Sequence, residues 1–273
     1  MILNLFGIEF ENPVFLASGT FGYGYEFPDV TRRMGALFTK GITPEPRAGN
    51  EPPRIYETAC GLINRIGLEN VGISAFLKDV LPRIKGLTRV FVNIAGSSID
   101  DYCVIVEQLD KLVDGIELNV SCPNVSDGLI FGQDPRLLHE LVTAVRKKTG
   151  LPIIVKLTPN FCDIALTSRE AIESGADGIS LINTLNAGFF FNGDFLTGGL
   201  SGPAIKPFAL YCIDRVRKVV DKPVIGIGGI TSGQDVLEFI NAGADAVAIG
   251  SISLKDPEAG IRIINEYNSL IGA

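Results

Sequence analysis

Apolar residues recur along the chain in short runs of strand length, separated by stretches with helical periodicity. These runs predict eight strands: Val14 to Ser18, Ala36 to Ile42, Arg89 to Gly96, Gly115 to Cys122, Leu151 to Pro159, Gly178 to Thr184, Lys222 to Ile230 and Ala246 to Ser251. The clearest helix between them has Asp134 as N-cap, Pro135 at its first position and Gly150 just past its end. Eight alternating strands and helices predict a parallel, closed (β/α)8 TIM barrel.

The organisation of the chain favours one domain over residues 1–273. Gly175 and Gly243 each begin a Gly-Ala-Asp triplet between a helix and a strand, as expected of repeated βα units. The Pro/Gly-rich segment Gly41 to Pro53 follows strand 2 and predicts an active-site loop. The glycine-rich stretch Asn186 to Pro203 follows strand 6, and we predict a second long loop there that could act as a lid.

Composition narrows the function classes. Hydrophobic residues make up 46% of the chain and charged residues 20%, which predicts a globular protein. The net charge of −7 predicts that this protein does not bind nucleic acid. No window approaches the length of an apolar membrane span, so we expect a cytoplasmic protein. The five cysteines form no C-x-x-C pair, which predicts free thiols and no metal site. His139, the one histidine, lies off the apolar helical stripe and is expected at the surface.

Polar residues end five successive predicted strands that are otherwise apolar. They are Lys40, Asn93, Asn119, Lys156 and Asn183. Barrel enzymes keep their chemistry at the carboxyl ends of the strands. Two lysines and three amides there predict a site for a flat, negatively charged ligand with several carbonyl and N–H groups.

Glycines mark a second group after strands 7 and 8. Gly226, Gly228 and Gly229 lie in one loop, and Gly250 precedes Ser251 in the next. Backbone N–H groups of these loops form the usual phosphate site of a barrel, because glycine lets the main chain approach the anion. A cofactor that carries phosphate is therefore expected.

Cys122 leaves strand 4 in the segment Asn119 to Asn124. A cysteine at an arbitrary position is more often an inert small hydrophobe than a catalyst. Here Pro123 fixes the turn beside Asn119, and no histidine is in reach. We predict that Cys122 accepts a proton in the reaction.

These motifs resemble the dihydroorotate dehydrogenases over essentially the whole chain. The matching segments are ASGTFG at 17–22, KG at 40–41, TPEPR at 43–47, NRIGL at 64–68, NVSCPN at 119–124, VKL at 155–157, INT at 182–184, GGLSGP at 198–203, GIGG at 226–229 and GS at 250–251. The resemblance implies FMN contacts at Ser18, Lys40, Gly41, Asn93, Asn119, Lys156, Ile182, Gly202, Gly228, Gly229, Gly250 and Ser251. It implies contacts to dihydroorotate or orotate at Lys40, Asn64, Arg65, Ile66, Gly67, Leu68, Asn119, Asn124, Asn183 and Thr184.

The pattern is similar to class 1B of that family. The resemblance then implies that Cys122 takes a proton from carbon 5 of dihydroorotate while carbon 6 delivers hydride to FMN, a step of pyrimidine biosynthesis. It also implies an iron-sulfur partner subunit with FAD that passes electrons to NAD, in a heterotetramer of two catalytic and two electron-transfer chains around a homodimeric core. The FMN would carry the redox chemistry, and the protein would supply position and electrostatics.

Three other functions compete with this interpretation. A flavin-dependent dihydrouridine synthase is also a barrel with a catalytic cysteine, but the acidic chain does not favour RNA binding. A Schiff-base aldolase could use Lys156, yet would leave the amides without a role. A non-catalytic barrel that binds a phosphate ligand would leave Cys122 without one.

Overall fold

The computed structural model describes residues 2–120 and 131–273. Its strands are β1 (Leu3–Leu5), β2 (Ile8–Phe10), β3 (Val14–Leu16), β4 (Ala36–Phe38), β5 (Ile55–Thr58), β6 (Gly61–Asn64), β7 (Arg89–Ile94), β8 (Gly115–Asn119), β9 (Ile153–Lys156), β10 (Gly178–Leu181), β11 (Leu185–Phe191), β12 (Asp194–Ser201), β13 (Val224–Ile227) and β14 (Ala246–Ile249). Eight of them close a parallel barrel in the order β10-β13-β14-β3-β4-β7-β8-β9. These are the eight predicted strands, so the predicted (β/α)8 barrel is confirmed.

Helices connect the barrel strands. They are α1 (Pro28–Arg33), α2 (Gly72–Ala75), α3 (Leu81–Ile84), α4 (Ile99–Leu109), α5 (Pro135–Arg146), α6 (Ile164–Glu173), α7 (Lys206–Arg217), α8 (Gly233–Asn241), α9 (Ile252–Lys255) and α10 (Ala259–Ile271). A π-helical turn at Phe76–Val80 joins α2 to α3, and a 3-10 turn at Pro203–Ile205 precedes α7. Asp134 caps α5 as predicted, but this helix ends at Arg146, so Gly150 lies beyond its C-cap.

Successive side chains of each strand point to opposite faces, so the buried core forms two clusters. Side chains such as Val155 and Val247 pack outward against the helices. Alternate side chains, including Phe15, Phe91 and Ile154, form a separate cluster that contains no helical residue and fills the barrel interior. The β1–β2 hairpin adds Leu5 and Phe10 to that inner cluster, together with partly buried side chains, and so closes one end of the barrel.

The repeated Gly-Ala-Asp triplets serve the same structural purpose. Asp177 accepts the backbone N–H of Ile153 at 2.8 Å and pairs with Arg146, the last residue of α5. Asp245 accepts the N–H of Val224 at 2.8 Å and pairs with Arg217 in the same way. Each aspartate thus fastens the start of a neighbouring strand to the end of a helix, as expected of repeated βα units.

The stretch 186–203 corrects one prediction. Instead of a long irregular loop, β11 and β12 form an antiparallel hairpin, and β12 continues the pairing to β6 and β5 in a four-stranded sheet. Tyr56 and Phe189 stack across this sheet with ring centroids 4.3 Å apart. Residues 41–53 contain no helix or strand, as predicted for a loop.

Two expectations about individual residues are also met. His139 lies at the surface, where its Nδ1 is 2.8 Å from a carboxylate oxygen of Glu170. The four cysteines within the described ranges, Cys60, Cys103, Cys162 and Cys212, are free thiols. In those ranges no helix combines the length and apolarity that a bilayer crossing requires.

Candidate active site

Inward-facing polar side chains replace apolar ones toward the carboxyl ends of neighbouring barrel strands. On β7 the interior position changes from Phe91 to Asn93, and on β9 from Ile154 to Lys156. Parallel register places Asn119 beside Lys156. The strand-end residues predicted from the sequence therefore converge at one mouth of the barrel.

Lys156 is a buried cation without an anionic partner in the described part of the chain. Its residue is 6% exposed, and its Nζ donates to Ser18 Oγ at 3.0 Å. Within residues 2–120 and 131–273, no carboxylate oxygen lies within 4.0 Å of this nitrogen. Removing an ammonium from water without a counter-charge is costly, so the site is suited to an anionic or polarised ligand.

Asn93 is 1% exposed, and the two ends of its amide differ in their hydrogen bonding. Its Nδ2 donates to Glu117 Oε2 at 2.5 Å. Its Oδ1 is buried and has no hydrogen-bond partner among the described residues. A Cβ built on Gly41 would lie 2.9 Å from that oxygen, so glycine keeps this side of the amide open. An unpartnered buried acceptor is rare in native proteins and predicts a ligand donor.

Lys40 reaches the mouth from the residues after β4 and is paired within the protein. Its Nζ lies 3.3 Å from Glu69 Oε2, which also receives Arg54 Nη1 at 3.0 Å. The Arg54 guanidinium donates further to the carbonyls of Asn50 and Ala48. Glu69 therefore connects Lys40 to the 41–53 loop.

The glycines after β13 and β14 adopt the conformations that a phosphate loop needs. Gly228 and Gly229 have φ of +125° and +75°, where other residues are strained. No acceptor within the described ranges receives their backbone N–H groups or that of Ser251. A Cβ on Gly229 would lie 2.8 Å from the Gly202 carbonyl, so these two predicted cofactor residues are in contact range. A Cβ on Gly250 meets nothing closer than 3.9 Å.

The segment 64–68 joins the small sheet to the mouth, and its members differ in what they can do. Asn64 lies in β6 and donates to the Gly199 carbonyl at 3.2 Å. Leu68 has a φ of +56°, and its Cδ2 would lie 3.6 Å from a Cβ on Gly41. Arg65 instead donates to the backbone carbonyls of residues 51 and 53, which holds the 41–53 loop. The neighbouring backbone of Ile66 and Gly67 packs against Asn50.

The residues after β10 also approach the small sheet. A Cβ on Gly199 would lie 2.0 Å from Thr184 Oγ1, so β12 passes directly against Thr184. Asn183 Oδ1 accepts the N–H of Thr184 at 2.8 Å. The Ile182 side chain belongs to the outer core cluster, which leaves its backbone as the part suited to a ligand. Cys122 and Asn124 lie outside the described residues, so their predicted roles stay predictions.

Sequence reasoning missed Glu117 and Ser180. Ser180 Oγ donates to Glu117 Oε1 at 2.6 Å, and both side chains are buried inside the barrel. A signal existed, because Glu117 is a charge in the middle of an apolar strand, two positions before Asn119 and hence on the same face. Glu69, which directly follows the NRIGL motif at 64–68, was also missed.

Comparison with known proteins agrees with this arrangement. The family model for dihydroorotate dehydrogenase matches residues 1–271. A catalytic subunit of dihydroorotate dehydrogenase B (NAD(+)) from Citrifermentans bemidjiense is 48% identical, over 97% of this chain and 91% of that protein. The subunit of the same name from Alkaliphilus metalliredigens is 45% identical, with the same two coverages.

A solved structure leads to the same family. The dihydroorotate dehydrogenase of Eimeria tenella, solved in complex with ferulenol, superposes with a TM-score of 0.84 at 25% identity and covers 99% of this chain and 84% of that one. The closed (β/α)8 barrel, with polar residues at the carboxyl ends of its strands, has the architecture of the barrel enzymes. The chain belongs to the dihydroorotate dehydrogenase family and is an oxidoreductase.

Proposed function

We propose that this chain oxidises dihydroorotate to orotate in pyrimidine biosynthesis, with FMN held in the barrel mouth and Cys122 as the base. The observation that carries the proposal is a pair of buried groups in a family barrel: the Lys156 ammonium, which has no carboxylate partner among the described residues, and the Asn93 carbonyl oxygen, which has no hydrogen-bond partner there. One is a buried cation and the other a buried acceptor. Together they suit a flat ligand that carries both negative charge and an N–H group.

FMN fits these residues at both of its ends. The glycine loops at 228–229 and 250–251 offer backbone N–H groups for its phosphate. In the barrel order β13 and β7 lie four strands apart, on opposite sides of the mouth. With the phosphate near β13 and β14, we expect the flavin ring to extend toward Asn93 on β7, past Lys156 on β9, which lies midway between β7 and β13 in the closed order. When bound, FMN would accept the hydride from the substrate.

The protein's own groups would do the rest. Lys156 would stabilise negative charge that develops on the ring, because its ammonium has no competing carboxylate in the described part of the chain. Asn64, Asn119, Asn124 and Asn183 would bind the alternating carbonyl and N–H edge of the pyrimidine. Lys40, already beside Glu69, would contact substrate and cofactor together. Cys122 would take the proton from carbon 5.

The variant Gly250→Val tests the proposed phosphate site, and Gly229→Ala provides the comparison. Its side chain would enter open space between the loops after β3 and β14, so we expect about 10-fold or greater loss of FMN affinity with an unchanged apo fold. Gly229→Ala is the contrasting control, because its Cβ would strike Lys206 and Gly202. It should lower the melting temperature of the apoprotein. Fluorescence titration with FMN and thermal unfolding measure the two effects, and wild-type affinity in Gly250→Val would contradict the phosphate assignment.

The partner proposal predicts a division of labour. Curated relatives are named catalytic subunits of an NAD(+) enzyme, and this sequence has no C-x-x-C motif for an electron relay. We expect the isolated chain to reduce its own FMN with dihydroorotate but to reduce NAD at a negligible rate. Addition of an iron-sulfur FAD subunit should restore NAD reduction. Fast NADH formation by the pure chain would contradict the proposed partner.

The visible spectrum of the purified protein tests the function itself. Flavin absorbance that bleaches under anaerobic dihydroorotate is the expected result. A colourless protein that binds no added FMN would favour a non-catalytic phosphate-binding barrel. A flavoprotein that dihydroorotate does not bleach would favour the dihydrouridine synthase alternative.

A further inference from the structure

Glu117 is a buried carboxylate inside the barrel that the proposed reaction does not use. It is 1% exposed and lies on β8, in register with Asn93 on β7. Its two oxygens are divided between two donors, with Asn93 Nδ2 on Oε2 at 2.5 Å and Ser180 Oγ on Oε1 at 2.6 Å. Burying a carboxylate is costly even when its oxygens accept hydrogen bonds. A buried carboxylate at the base of the site therefore calls for a role.

We propose that Glu117 is a positioning residue that sets which face of the Asn93 amide meets the cofactor. The inference rests on the proposed binding of FMN. A carboxylate oxygen accepts hydrogen bonds, so it holds the NH₂ group of Asn93 on its own side. The carbonyl oxygen is then forced to the opposite side, where it is buried, unpartnered among the described residues and next to Gly41. Glu117 thus fixes the carbonyl oxygen of Asn93, and not its NH₂ group, on the side of the cofactor.

The ligand group that this acceptor selects follows from flavin chemistry. The oxidised isoalloxazine ring has one N–H, at N3, and every other polar ring atom is an acceptor. Asn93 lies across the barrel from the glycine loops on β13 and β14, so the ring end of FMN, and not its phosphate end, is expected there. A fixed acceptor therefore favours the ring N–H, whereas a flipped amide would present a donor to it.

The variant Glu117→Met removes both acceptor oxygens and keeps the length of the side chain. The NH₂ group of Asn93 then loses the acceptor that holds it on the side of β8, so the Asn93 amide is free to flip. We expect FMN affinity to fall by about 10-fold, the size of one buried hydrogen bond. In an Asn93→Ala background the same substitution should cause no further loss, because the residue through which it acts is gone.

Fluorescence titration of the apoprotein with FMN and with N3-methyl-FMN tests the proposal. The wild type should bind the methylated analogue at least about 10-fold more weakly than FMN, and Glu117→Met should reduce this preference. Ser180→Ala is the matched control, since it removes the other donor to Glu117 and leaves Asn93 held. It should keep the preference of the wild type for FMN.

The outcomes distinguish a failure of this inference from a failure of the proposed function on which it rests. Wild-type protein that binds no FMN would overturn both. Wild-type protein that binds FMN and its N3-methyl analogue equally would overturn the role of Glu117 alone, and that comparison needs no folded variant. Unchanged FMN affinity and unchanged analogue preference in a folded Glu117→Met variant would also overturn it.

Discussion

The variant Cys122→Ala should reduce its flavin with dihydroorotate about 10² to 10⁴-fold more slowly than the wild type, the usual contribution of a general base. FMN should remain bound, because Cys122 is not among the proposed cofactor contacts. Cys122→Ser should also be slow, since a serine hydroxyl in a site built for a thiol lacks an assisting base. Anaerobic stopped-flow absorbance measures the rate of flavin reduction directly.

The pH dependence of the same rate tests whether Cys122 acts as a thiolate base. An ordinary thiol has a pKa of about 8.5 and is mostly protonated at neutral pH. The reduction rate should therefore rise with pH until the thiolate dominates, and this rise should disappear in Cys122→Ala. Burial raises the pKa of Cys212 to about 11 and also raises the pKa of Cys162 and Cys103, so these thiols lose their protons at higher pH than an ordinary thiol.

The control variant for the cysteine is Cys60→Ala. Cys60 is exposed, and its backbone carbonyl accepts the N–H of Ala204. Its replacement should leave both the rate and the pH profile unchanged. A Cys122→Ala variant with the wild-type rate and profile would assign the base to another group.

The variant Lys156→Met should slow flavin reduction by about 10² to 10³-fold, the usual loss when one preorganised electrostatic donor is removed from a reaction centre. Methionine keeps much of the apolar stem volume and removes the charge. In the described structure the ammonium has Ser18 Oγ as its partner and no carboxylate, so its loss leaves no buried anion behind. The melting temperature of the apoprotein should therefore stay level or rise.

Ser18→Ala is the control for Lys156. It removes the hydroxyl that holds the lysine but leaves the charge, so it should slow reduction by less than about 10-fold. Stopped-flow reduction and thermal unfolding of the apoproteins provide the two readouts. A Lys156→Met variant that is destabilised yet reduces flavin at the wild-type rate would make Lys156 a structural residue.

The barrel could be predicted because apolar, β-rich runs separate cleanly from helical periodicity, and each predicted strand lies where the structure has one. The mouth residues on β7, β8 and β9 followed from the alternation of side chains, which places Asn93, Asn119 and Lys156 on inward positions. Their roles in binding FMN and substrate stay predictions. Glu117 was missed because it lies two residues before the end of β8, one alternation step deeper than Asn119.

The β11–β12 hairpin was mistaken for a loop because its glycines suggested irregular structure. The structure shows instead that two of these glycines allow close packing between neighbouring segments. A Cβ on Gly198 would lie 2.3 Å from the carbonyl of Asn64, and one on Gly199 would strike Thr184. Close approach between strands and the mouth requires glycine there. Composition alone does not distinguish a glycine needed for contact from one needed for a turn.

A single-turnover experiment on the isolated chain tests the central claim most directly. FMN-loaded protein is mixed anaerobically with a limiting amount of dihydroorotate, without NAD or a partner subunit, and the orotate formed is quantified against the FMN reduced. The account predicts one orotate for each FMN reduced, with the flavin absorbance lost as the product appears. Flavin that stays oxidised, or that bleaches without formation of orotate, would contradict it.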